Sequence, residues 1–251
     1  MNRRLRACGL HLMLSALIAG LVSLLIFFVW YPAPYAAVSG GFALFGLLVG
    51  VDIVLGPALT AIAASPGKPW PVLRRDLAFI ATVQLAALGY GVYAMALSRP
   101  MHMAFEVDRM RVVSIAEIDA DTLSEAPEGF RSLPWFGPRL IAAVLPTDPA
   151  EKLKAMDLGV AGFDLAMVPR YWRDYTSRAD EAWRIARPVS LLIQKYPQTA
   201  SEIDRIAGGA GVKADELRFL PLISRRVGEW VTLLAEPKAR VVGYLPFDGY
   251  F

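Results

Sequence analysis

The stretch "GFALFGLLVGVDIVLGPALTAIAA" (residues 41–64) decides the fold. Apart from Asp52 and Thr60 it carries no polar side chain. It reaches the roughly 20 residues that an α-helix needs to cross a ~30 Å hydrocarbon core. Two further runs of that kind lie in the first hundred residues, Gly9–Trp30 and Leu77–Leu97. Only helices or closed barrels satisfy their backbone hydrogen bonds in lipid. The pattern therefore predicts three transmembrane helices, about 9–30, 41–64 and 77–97, forming an anchor over 1–97. A separate domain follows over 98–251.

The first run, led by Arg3, Arg4 and Arg6, also has the charge pattern of a secretory signal. Its apolar stretch exceeds the 7–15 residues of a signal core, and it ends in "FFVWYPAPY" without a small-residue cleavage site. It is expected to be an uncleaved anchor. Arg3, Arg4 and Arg6 precede the first helix, Lys68, Arg74 and Arg75 lie between the second and third, and residues 31–40 carry no charge. The positive-inside rule then puts the N-terminus and the 65–75 loop in the cytoplasm and the domain after Leu97 outside, in the periplasm of a bacterium. Phe27, Phe28, Trp30 and Tyr31 fit the outer interface, and Trp70 the inner one.

The net charge of +3 is divided unevenly: residues 1–97 carry +4 and the remainder −1. The basic pI of about 9.0 belongs to the anchor and gives no basic patch of the kind nucleic-acid binding needs. The lone Cys8 sits at the cytoplasmic edge of the first helix, so the exported domain has neither disulfide nor thiol chemistry.

The exported domain reads as α+β with a small, partly antiparallel sheet. "FEVDRMRVVSI" (105–115) alternates like one strand, and 139–146 is a short apolar run. Helices are expected from Asp148 to about Met156, over Tyr171–Ala186, and over Ala200–Ala207, the last capped by Thr199 or Ser201 and ended by Gly208–Gly209. Three strands follow at 216–224, 229–236 and 239–246, the last two joined as a hairpin through "EPKA".

Chemistry is sparse. The two histidines, His11 and His102, are far apart in sequence, and no His/Cys/Asp cluster has metal-ligand spacing. "GGAG" (208–211) lacks the Lys-Ser/Thr of a phosphate loop and reads as a helix end. No catalytic residue, cofactor or metal is expected. A membrane enzyme centred on Asp52 or His102 remains the weakest alternative, and a membrane-anchored sensor or regulatory subunit with a ligand-binding exported domain is the runner-up.

Two groups invite a partner. In the membrane, Asp52, Gly56 and Thr60 recur every four residues as one small, polar stripe, Gly46 and Gly50 form a GxxxG, and the third helix offers Gln84. A carboxylate at that depth costs roughly 3 kcal/mol on insertion scales, so it needs a hydrogen-bonding neighbour or a role. Pro57 frees the carbonyl of Ile53 and predicts a local bend. In the domain, "RYWRDYTSRADEAWR" (170–184) sets Tyr171, Trp172, Tyr175 and Trp183 among arginines. These aromatics either pack on the core or present a contact face. The terminal "LPFDGYF" poses the same choice.

"WYPAPY" (30–35), "SGG" (39–41), "GVDIVLGPALT" (50–60), "RRDL" (74–77), Gln84, "YG" (90–91), "RP" (99–100) and "FEVDR" (105–109) together resemble the TfpX/TfpZ family of type IV pilin accessory proteins. The resemblance covers roughly the first 110 residues. It implies a non-enzymatic, chaperone-like inner-membrane factor that acts in pilus assembly. The expected partners are a type IV major pilin, other inner-membrane pilus assembly proteins and membrane lipid.

Overall fold

The computed structural model describes residues 3–65, 67–118, 120–225 and 228–251. The chain divides into two compact units, Met1–Arg99 and Pro100–Phe251.

The first unit is helical. Helix α1 (Arg3–Leu24) continues through a wider π-turn over Leu25–Trp30. A short helix α2 (Tyr35–Val38) leads into α3 (Gly41–Ala63), and α4 (Trp70–Ser98) completes the unit. Three segments, Leu5–Trp30, Gly41–Ala63 and Trp70–Ser98, are long and apolar enough to cross a membrane. The third starts seven residues before the expected Leu77, because Arg74, Arg75 and Asp76 continue the helix beyond its apolar part. Both α1 and α4 pack on α3, which is therefore the central helix. Helix α3 stays continuous through the buried Pro57. One end of the unit is closed by Tyr31, which is fully buried and donates its hydroxyl to the Met95 carbonyl at 2.9 Å. Its ring lies on Gly41, where an added Cβ would come within 2.7 Å of a ring carbon. At the other end Lys68 pairs with Asp76.

The second unit is a curled mixed sheet with helices. Its strands are β1 (Pro100–Glu106), β2 (Arg109–Ser114), β3 (Arg139–Ala143), β4 (Trp172–Asp174), β5 (Arg187–Pro188), β6 (Arg218–Ser224), β7 (Trp230–Ala235) and β8 (Arg240–Leu245). They run in the order β4-β3-β1-β2-β6-β7-β8, with β5 also on β6. The β1/β3 and β2/β6 pairs are parallel and the others antiparallel. The helices are α5 (Pro149–Val160), α6 (Ala179–Ile185), α7 (Val189–Lys195) and α8 (Ala200–Ala210). Met101, Ile141, Leu165 and Trp172 belong to one hydrophobic core, and Leu192, Ile203, Phe219 and Leu233 to another.

Several local expectations hold. Asp148 caps α5 by accepting from the Glu151 amide at 2.9 Å, the EPKA segment joins β7 to β8 as an antiparallel hairpin, and the first part of the 139–146 run, Arg139–Ala143, forms β3. Others are corrected. Residues 105–115 are not one strand: β1 and β2 turn at Val107–Asp108, with Val107 at φ 54°. Residues 171–186 are not one helix: Trp172–Asp174 is strand β4, Asp174 caps a 3-10 turn through the Thr176 amide, and only Ala179–Ile185 is α-helical. Helix α8 runs past Gly208–Gly209 to Ala210 and ends on Gly211 at φ 75°. Thr199 does not cap α8 with its side chain, since its hydroxyl donates back to the Tyr196 carbonyl. The C-terminal segment packs on the second core, with the Phe247 ring 4.9 Å from Tyr196 and Phe251 stacked 5.9 Å from the buried Phe219.

Candidate functional site

Several polar residues of the helical unit gather in one groove. Helices α1 and α4 stand on either side of α3 and leave a cavity of about 560 Å³, lined by residues of all three. Its walls are leucine-rich, with Leu10, Leu14, Leu77, Leu85 and Leu88. Against them stand Asp52, Thr60, Gln84, His11 and Ser15, with Arg6 also in the lining. The four-residue spacing of Asp52, Gly56 and Thr60 holds the three on one face of α3, over about 12 Å of helix. Thr60 is buried, and its hydroxyl is hydrogen-bonded to His11 Nδ1 at 2.7 Å, tying α1 to α3. Gly56 makes the crossing: a Cβ there would run into the Gln84 amide nitrogen and come within 2.7 Å of His11 Nε2. Side chains from α1 and α4 thus meet over a bare stretch of α3.

The sequence-based stripe of Asp52, Gly56 and Thr60, with Gln84, is brought together in this groove. Gly46 and Gly50 are not part of it, since an added Cβ at either would meet nothing within 4 Å. Gly91 of α4 makes a further close contact, against Leu48 of α3. His11 is the member of the groove that the sequence reading did not select, and its signal was a histidine inside an apolar run. The groove offers an apolar cavity with a few hydrogen-bonding groups contributed by all three helices. That suits an apolar object carrying few polar groups. Among the described residues no group of three or more His, Cys, Asp or Glu is placed to hold a metal ion.

In the second unit the candidate aromatics do not form a surface. Tyr171, Trp172 and Tyr175 are 4%, 0% and 5% exposed. Trp172 donates its indole N–H to the Ala166 carbonyl at 2.8 Å, and Tyr175 its hydroxyl to the Ala239 carbonyl at 2.6 Å. Trp183 is half-buried under the Arg218 guanidinium, 4.8 Å from its ring. Their helix-like spacing masks a chain that turns them all toward neighbouring elements.

His102 is also in that core, 1% exposed, with its ring edge-on to Trp172 at a centroid distance of 4.4 Å. Burial, with a smaller contribution from the Arg139 charge beside it, pushes its pKa down to about 3. The imidazole therefore stays neutral in the folded protein, while the unfolded chain takes up a proton near pH 6.5. The stability this contributes is complete above about pH 6.5 and is lost as pH falls toward 3. Between pH 7 and 5 the loss is expected to be about 2 kcal/mol. Urea titrations of the full chain in detergent, read by pulse proteolysis, would show that slope, and His102→Leu should remove it. Glu106, raised by burial and by Asp164, works in the opposite direction in both proteins, so the comparison isolates His102.

The helices and groove define the class: a protein with three N-terminal helices able to cross a membrane, followed by a mixed-sheet domain. Comparison with known proteins narrows it. Residues 1–40 match the family described as fimbrial assembly protein FimB. The fimbrial assembly protein of serogroup I from Dichelobacter nodosus is 36% identical over 227 residues, 90% of this chain and 88% of the relative. The serogroup E1 protein of the same organism is 35% identical over the same shares. The one from serogroups C1 and C2 is 42% identical over 118 residues, 47% of this chain and 90% of that relative. The chain belongs to the fimbrial assembly protein family. No solved structure matches it.

Proposed function

We propose that this protein is a non-enzymatic accessory factor of the bacterial inner membrane that binds a type IV major pilin and promotes pilus assembly. The observation that carries the reading is the groove: a leucine-walled cavity between α1 and α4, with Asp52, His11, Thr60 and Gln84 in its lining. A pilin waits in the membrane as a single hydrophobic helix, and such a groove can shield it before assembly. In this reading the N-terminus is cytoplasmic and the domain over 98–251 is periplasmic, where it meets the pilin's soluble part. Similarity over 90% of the chain to proteins named for fimbrial assembly supports the pilus role.

Substitutions in the groove test it. Gly56→Leu places a side chain where Gln84 and His11 meet. Overpacking of that kind costs about 1–3 kcal/mol, which is roughly tenfold or more in helix affinity. Surface pili, counted by electron microscopy, are expected to fall by about that factor while pilin abundance on immunoblots is unchanged. Asp52→Asn, which keeps size and hydrogen bonding, should preserve piliation, and Asp52→Leu should reduce it. Full piliation with both Gly56→Leu and Asp52→Leu would remove the groove from the mechanism.

A further inference from the structure

Helix α5 turns an apolar stripe to solvent. Leu153, Met156 and Val160 are 60%, 58% and 92% exposed. At 3.6 residues per turn they fall within an arc of about 60°. The far side of the helix is already used, since Ala155 is buried in the core that holds Trp172. Phe163, just past the helix end, is exposed as well. An apolar stripe on a helix that has its buried side elsewhere marks a second packing surface.

The charges on α5 say what packs there. The helix carries Glu151, Lys152, Lys154 and Asp157. Glu151 pairs with Lys154 at 2.8 Å and with Arg170 at 3.5 Å. Lys152 and Asp157 have no ion-pair partner among the described residues. Nor do they serve the helix itself. Lys152 lies toward its N-terminal end and Asp157 toward its C-terminal end, each the unfavourable sign for the helix dipole. They flank the stripe instead, one on either side. The spacing 153, 156, 160 is that of heptad positions a, d and a, which puts Lys152 at g and Asp157 at the following e. In a parallel pair of helices the g side chain of one faces the following e side chain of the other. Two copies of α5 pointing the same way therefore form the Lys152–Asp157 pair twice. An antiparallel pairing brings like charges together.

We infer that α5 is a self-association surface, on which a second copy of this chain lays its own α5 in parallel. Leu153, Met156 and Val160 pack against their counterparts, and Lys152 of each copy faces Asp157 of the other. The seam is little more than one heptad long, so the contact is weak in dilute solution and gains from copies being concentrated in one membrane. Apolar area supplies the attraction, and the exposed ion pairs set the orientation. The inference uses the second unit alone and does not depend on the reading of the groove.

The test uses the full chain in a Cys8→Ser background, in isolated membranes treated with a mild oxidant. Leu153→Cys and Val160→Cys should each give a disulfide-linked dimer, because a parallel two-fold pair sets each a position beside its own counterpart. Ser201→Cys, exposed on α8, should give only a background band. With Val160→Cys in place, Lys152→Asp or Asp157→Lys should lower the dimer yield about fivefold or more, since each breaks two symmetry-related pairs. The double reversal Lys152→Asp/Asp157→Lys should restore it. Both reversals suit the helix dipole, so a weakened α5 does not explain a loss. No dimer from either α5 cysteine, with the chain present on immunoblots, overturns the inference and leaves the stripe to another protein or to lipid. A cross-link between residues 153 and 160 of two co-expressed variants, without the symmetric ones, overturns it as antiparallel pairing. Equal yield at residue 201, or a double reversal that stays as low as the single ones, overturns it too.

Discussion

Trp172→Ala is expected to destabilise the second unit by about 3–5 kcal/mol, the range for removing a large aromatic from a packed core. Trp172 is fully buried, packs edge-on to His102 and gives its N–H to the Ala166 carbonyl. Against a typical total of about 5–15 kcal/mol, that loss removes a large share of the unit's stability. Urea titration of the full chain with pulse proteolysis as readout measures it. Trp172→Phe refills most of the volume but leaves the Ala166 carbonyl without its donor, so about 1–3 kcal/mol of the loss should remain. A cost below about 1 kcal/mol for the alanine variant would contradict the core assignment and reopen the surface reading of this segment.

The second large effect is electrostatic. Arg111 reaches Asp164 and, at 3.5 Å, Glu117, with the Arg111 and Glu117 side chains only 11% and 3% exposed. Glu117 also accepts from the backbone and hydroxyl of Ser114 at 2.8 and 2.7 Å, closing the turn after β2. Nearby, Glu106 accepts the Leu165 amide at 3.0 Å and fixes the 164–168 segment over β1. Arg111→Met strands these carboxylates and should cost about 3–5 kcal/mol, the range for breaking a buried pair from one side. The double variant Arg111→Met/Glu117→Gln removes the stranded charge and should recover part of that. If the double variant is no better than the single one, the loss comes from packing and the network is incidental.

The membrane helices were legible because hydrophobic length is a direct physical requirement of the bilayer, which three runs met. Their ends were less so, since α4 extends outside the apolar zone through charged residues, of which Arg74 and Arg75 are good helix formers. The β1–β2 hairpin was hidden because its turn uses Val107 at positive φ, where Gly or Asn would have signalled it. The expected helix over Tyr171–Ala186 rested on a spacing that is helical by coincidence, and the buried role of each aromatic came from tertiary packing that no local pattern encodes. Helix α7 was missed because it is only seven residues long and lies between Pro188 and Pro197. In the groove, Asp52, Thr60 and Gln84 were visible as polar residues in apolar runs, and Gly56 through its spacing. His11 was not, because which faces of α1 and α3 meet is a tertiary fact. The Gly46/Gly50 pair shows the reverse: a packing motif with no close contact among the described residues.

The central claim is that a pilin helix lies in the groove between α1 and α4. A photo-crosslinking residue at Leu85, an exposed groove residue, tests this most directly in living, piliated cells, with Leu47, exposed on α3 outside the groove lining, as the control. The account predicts that Leu85 captures the major pilin through its membrane helix and that Leu47 does not. Robust piliation with no pilin captured from Leu85, or equal capture from both positions, would contradict it.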